Sequence, residues 1–210
     1  MQELQHFQAA FRQYPPDPEK RPCPNTFDFD VMMFYPHVHG SPVVWPVGPP
    51  NVSLLYLWAE QDFLRSFVFD SARARIDASA VSAVKAPENS MPGGVLSLSA
   101  SGSAPGTGIV WATRPIDCSD HNRVRDMENR SCNGQYKTVP GILHAFDAIT
   151  LDELWNSERK ASDRLGFLAK YSPPTIAHGK LYVATSGDPS QCSDRACPNR
   201  LLVFGVLPGQ

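Results

Sequence analysis

The side chains able to bind a metal or move a proton are few and scattered. His37 and His39 stand two apart, which in an extended segment puts both imidazoles on one side, as a metal pair requires. No third ligand is apparent in the neighbouring sequence, and Pro36 and Gly40 make the pair part of an entry turn. Cys118, Asp120, His121 and Cys132 offer sulfur, oxygen and nitrogen donors, but not as the close Cys-x-x-Cys or His-x-x-x-His pairs that a zinc site gathers. His144 and His178 read as surface residues, and sequence places no Ser or Cys beside either to make a nucleophilic relay. The stretch Gly102 to Gly108, GSAPGTG, has the glycine content of a phosphate loop without its Gly-Lys-Ser/Thr ending, so a long hairpin turn is the better reading. Trp58, Trp111 and Trp155 could stack on a planar ligand, yet Trp58 and Trp111 fall at one repeat position, which packing produces. No catalytic, cofactor or metal residue is assigned.

The cysteines carry a different message. Cys118 and Cys132 bracket one polar loop and Cys192 and Cys197 another, both at the same place in the repeat described below. Two insertions, each closed by its own pair, read as local disulfides that limit the freedom of otherwise structureless loops. Each such link is worth about 2 to 4 kcal/mol. The expected compartment is then oxidising, extracellular or periplasmic, with Cys23 left over.

The elements that must position these residues are strands. Gly141 to Trp155, GILHAFDAITLDELW, reads as a strand, a turn opened by Asp147 and a returning strand begun by Leu154 and Trp155. An Asp at the first position of a turn accepts from amides two residues on. A helix over Leu151 to Tyr171 competes, but Gly166 and the Pro173-Pro174 pair limit it, and strand followed by loop is preferred. The same form recurs: Leu64 to Phe67, Leu143 to Phe146 and Leu201 to Phe204 each run Leu, a variable residue, a small residue, Phe. Tyr56 to Ala59, Ile109 to Ala112 and Tyr182 to Thr185 precede them in register, behind entries at Ser41 to Val44, Gly93 to Leu96 and Pro173 to Ile176.

Ala145, Phe146, Asp147, Thr150 and Trp155 give the pattern AFD-x-x-T-x-x-x-x-W, which resembles the repeat of the pyrroloquinoline-quinone-type β-propellers, the quinoprotein alcohol dehydrogenase-like family. The resemblance covers roughly residues 37 to 208. It implies an all-β fold, a partial β-propeller of about three four-stranded antiparallel blades, at about 39–76, 91–157 and 171–208. A short N-terminal helix and a Pro-rich connector over 1–36 precede it, with Phe27, Phe29 and Val31 alternating like a half-buried strand. Members of that family hold a quinone (PQQ) and calcium at the propeller axis. Neither a calcium set, a catalytic Asp nor the adjacent cysteines common in those enzymes can be mapped here, so the resemblance carries the repeat and not the activity.

Three blades leave two flanks open, since rings close with about four to eight. The expectation is a C-terminal part of a longer protein; completion by a second chain, or a different packing of the sheets, are the alternatives. A net charge of −2 offers no basic face for nucleic acid, and no run of about eighteen apolar residues spans a bilayer. The N-terminus, MQELQHFQAAFRQY, lacks the features of a signal peptide. The expected function is an exported, non-catalytic module that binds a protein or polysaccharide through disulfide-tied loops on one face. The alternatives are part of a PQQ- and calcium-dependent oxidoreductase, or a truncated inactive fragment.

Overall fold

The computed structural model describes residues 37–87, 91–116, 134, 138–187 and 198–205. These residues form three four-stranded antiparallel sheets. Sheet 1 holds β1 (Val43–Pro46), β2 (Val52–Leu57), β3 (Phe63–Asp70) and β4 (Arg75–Lys85), in chain order. Sheet 2 repeats that order with β5 (Val95–Ser99), β6 (Ile109–Pro115), β7 (Gly141–Asp147) and β8 (Glu153–Asn156). Sheet 3 runs β10 (Thr175–Ala177), β11 (Lys180–Ser186), β12 (Arg200–Gly205), and the two-residue β9 (Phe167–Leu168) joins the far end of β11.

Strand alternation decides what each sheet buries. In β2, Leu54 and Tyr56 point to one side, together with Trp58 beyond the strand and Leu64 opposite it, and all four enter a core shared with Leu96, Val110, Ala112 and Phe146 of sheet 2. Sheet 2 turns its other side, through Leu143 and Trp111, onto Leu181, Val183, Leu202 and Phe204 of sheet 3. The middle sheet is therefore packed on both faces, and β7 is buried without a break from Gly141 to Phe146.

The turn at Asp147 forms as its sequence directs: the carboxylate accepts from the amides of Ile149 (2.8 Å) and Thr150 (2.9 Å). Thr150 in turn accepts from the Asp152 amide, and Leu151 takes a left-handed φ of 61°. Strand β8, a three-residue 3-10 turn at Ala161–Asp163 and the short β9 occupy Leu151 to Tyr171, not one amphipathic helix. The Gly102 to Gly108 stretch is the β5–β6 hairpin connection, with Gly102 and Gly106 both at positive φ. His178 and Gly179 make the β10–β11 hairpin, also at positive φ, and His178 is exposed.

Three expectations need correction. The stretch Ala72 to Asn89 reads from sequence as a fourth strand plus linker, and β4 fills it from Arg75 to Lys85, so the first blade runs past the expected bound near Ile76. Trp58 and Trp111 do not share a repeat position. Tyr56 pairs with Ser66 and Trp111 with Ala145, so Trp111 corresponds to Tyr56, and Trp58 to Thr113. A slip of two residues preserves the face a side chain points to, which is why the apolar pattern alone did not expose it. His144 is not a surface residue: it is 1% exposed, on the side of β7 that meets sheet 1. The N-terminal helix, the strand-like Phe27 to Val31, and Cys23, Cys118, Cys132, Cys192 and Cys197 lie outside the described residues. Among the described residues, no helix is long and apolar enough to cross a membrane.

Candidate metal centre

The segments that lead into the first strand of each sheet meet. Gly40 lies against Gly94, where an added Cβ would stand 3.2 Å from the Gly94 carbonyl oxygen. Gly93 and Gly94 press on the end of β2: an added Cβ would fall 2.5 Å from backbone atoms of Trp58 and Ala59 at the first, and 2.4 Å from the Trp58 ring at the second. The Gly94 amide donates to the Trp58 carbonyl at 3.1 Å. From the third entry segment, the Tyr171 phenol reaches the Met91 sulfur of the second at 3.7 Å. Ser97 donates to the Pro174 carbonyl, tying the second entry strand to the third.

At this meeting point stand His37, His39 and Glu60, whose ligand atoms all lie within 4.8 Å of one another. Glu60 is the third candidate donor, which sequence reasoning missed. It lies twenty-one residues beyond His39 and comes close because the chain turns from β2 to β3 beside the entry segment. The backbone locks the two pieces together: the Glu60 amide donates to the His37 carbonyl at 2.9 Å, and the His37 amide donates to Glu60 Oε2 at 3.1 Å. The other carboxylate oxygen, Oε1, is 2.7 Å from His39 Nε2. Glu60 is buried and both histidines are partly buried, so the carboxylate is held by protein while the imidazoles face the approach. The rings of His37 and His39 meet edge to face at 5.6 Å.

Two left-handed residues flank the cluster, Gln61 at φ 55° and Tyr171 at φ 62°. Such conformations cost of order 1–3 kcal/mol for residues with a Cβ and collect at functional sites. The Tyr171 ring lies 5.6 Å from that of His39. Burial, with the Glu60 carboxylate adding to it, raises the Tyr171 phenol above its ordinary pKa.

Two imidazoles and one carboxylate are the donors of transition-metal sites with open positions, zinc or non-haem iron among them. Calcium takes six to eight oxygens. Calcium, which the quinoprotein resemblance implies only for members of that family, does not fit a set with two nitrogens. A tetrahedral metal at about 2.1 Å from each ligand would need them about 3.4 Å apart, between the 2.7 Å of the His39–Glu60 contact and the 4.8 Å span of the set.

A second polar cluster is structural. Neutral His144 donates from Nδ1 to Glu153, stacks on Phe146 and lies 5.8 Å from Trp58. Burial lowers the His144 pKa against the opposing bond to Glu153, and that same bond holds the Glu153 carboxyl low. The residues of the AFD repeat are structural as well. Ala145 and Phe146 are core, Asp147 and Thr150 build the turn, and Trp155 meets Phe204 edge to face at 5.9 Å. None of them approaches the His37–His39–Glu60 cluster in these contacts. The loops expected to bind a protein or polysaccharide, within 117–133 and 188–197, lie outside the described residues.

No family model matches the chain, and no curated protein or solved structure matches it either. Any resemblance to the quinoprotein propeller repeat therefore rests on the residue pattern and on the recurrence of four-stranded sheets.

Proposed function

We propose that this chain is a metal-binding protein built on propeller-like blades, with one divalent transition-metal ion held by His37, His39 and Glu60 at the end of the stack where the entry segments meet. The observation that carries the reading is the convergence of three ligand atoms of the right chemistry within 4.8 Å, two from the entry segment and one from the β2–β3 corner. A propeller places its central channel between the first strands of its blades, and β1, β5 and β10 are neighbours in that order here. The metal ligands then sit beside the channel mouth. Three protein ligands leave at least one coordination position open, which separates this set from the closed four-ligand sites that serve structure alone.

The test is zinc uptake by the full 210-residue chain, followed by isothermal titration calorimetry and thermal unfolding. One zinc per chain is expected. His39→Ala and Glu60→Gln are expected to weaken it by at least about 100-fold, more than the 10- to 100-fold typical of residues that merely support ligands. At a hundredfold excess over Kd, zinc adds about 2.7 kcal/mol to stability. Absence of zinc, cobalt and copper uptake at micromolar concentration overturns the reading.

A further inference from the structure

We infer that the open side of the metal centre takes an anionic oxygen ligand, a carboxylate or phosphate group, and that Tyr171 is the residue that donates a hydrogen bond to it. The inference rests on the metal reading above and names what that site would hold.

Charge is the first argument. A divalent ion held by two neutral imidazoles and one carboxylate keeps one net positive charge, and the Glu60 carboxylate is turned inward, 8% exposed, with Oε2 bound by the His37 amide and Oε1 left to face the ion. The remaining charge therefore faces the open side, where an anion neutralises it.

Geometry is the second. Tyr171 comes from a different sheet's entry segment and lays its ring against the ligand His39 at 5.6 Å, tilted by 44°. Its hydroxyl has a weak partner, the Met91 thioether at 3.7 Å, and a thioether is a poor acceptor that a charged oxygen would displace. The side chain is 50% exposed, so a ligand arriving from solvent meets it without any rearrangement of the core. The left-handed backbone at Tyr171 is unusual for a residue of that size and is imposed by the turn into β10, which fixes the direction from which the phenol approaches.

The experiment loads the full chain with Co(II), whose visible absorption reports the coordination sphere, and titrates the loaded protein with inorganic phosphate and separately with acetate. A saturable change with either anion supports the inference, and the anion that gives it identifies the ligand class. Tyr171→Phe is expected to bind Co(II) as wild type does but to need about ten times more anion for half saturation, the loss expected for one hydrogen bond to a charged group. A Co(II) spectrum indifferent to both anions at millimolar concentration overturns the inference while leaving the metal reading intact. A Tyr171→Phe titration superimposable on wild type removes Tyr171 from it. If Co(II) produces no band at all, the metal reading itself fails.

Discussion

Replacing Gly94 by Ala tests the packing that holds the three entry segments together. The new methyl would be 2.4 Å from Cε3 and 2.6 Å from Cδ2 of Trp58, where carbon atoms rest at about 3.5–4.0 Å. One partner must move by more than about 1 Å. Trp58 has no room to do so, because it is 1% exposed, its indole donates to the Asp62 carbonyl at 2.8 Å, and Phe146 meets its ring edge to face at 5.7 Å. Overpacking of this kind costs about 1–3 kcal/mol, and displacing the indole from its acceptor adds about 1 kcal/mol. A loss of about 3 kcal/mol is therefore expected, or about 6–12 °C in Tm for a chain of this size. Gly205→Ala is the control: its Cβ meets Lys180 Cγ at 3.3 Å, on a flexible side chain, and the change should stay within about 0.5 kcal/mol. Urea unfolding of both variants gives the comparison. Because Glu60 follows Trp58 by two residues, Gly94→Ala should also weaken zinc binding, read by calorimetry under conditions where the variant remains folded. Equal stability of the two variants would refute the packing argument.

Tyr56→Phe should cost about 1–2 kcal/mol in urea unfolding, since the buried phenol donates to the Ala148 carbonyl at 2.8 Å and joins sheet 1 to the β7–β8 turn. Asp147→Ala should cost a similar amount, about 1–2 kcal/mol, by releasing two turn amides, with Asp147→Asn retaining most of the stability. The His144–Glu153 pair predicts an acid-side loss of stability. The folded state lowers the His144 pKa, so the unfolded chain takes up the proton first, and the contribution present above the ordinary value of 6.5 is lost as pH falls below it. Glu153 is lowered too, so its contribution is present above 4.5 and is lost below that. His144→Phe should flatten the pH dependence of the urea midpoint between pH 7 and 5, and an unchanged slope there would exclude His144 as its source.

Strand content, sheet recurrence and turn chemistry were legible because each depends on residues close in sequence. Asp147 bonds to amides two and three residues away, and the alternation in Leu54 and Tyr56, or Leu181 and Val183, shows within one strand. A fourth strand within Ala72 to Asn89 was legible but not where it ends, since Arg75 to Lys85 is largely exposed and carries no strong apolar period. Nor was the burial of His144. A histidine between two apolar residues reads as surface until the partner sheet is known, and its acceptor, Glu153, belongs to the next strand.

The candidate metal centre divides in the same way. Two of its candidate ligands, His37 and His39, stand two apart in the chain, so their pairing is visible from spacing alone. Glu60 belongs to the site only because the β2–β3 corner is folded back onto that segment, where the Glu60 amide donates to the His37 carbonyl and the His37 amide to the Glu60 carboxylate. Tyr171 arrives from a third sheet altogether. Local sequence determines side-chain direction along a strand, whereas bringing charged and polar groups together from distant segments takes the free energy of the apolar sheet faces packed behind them, and that is a property of the assembled tertiary structure.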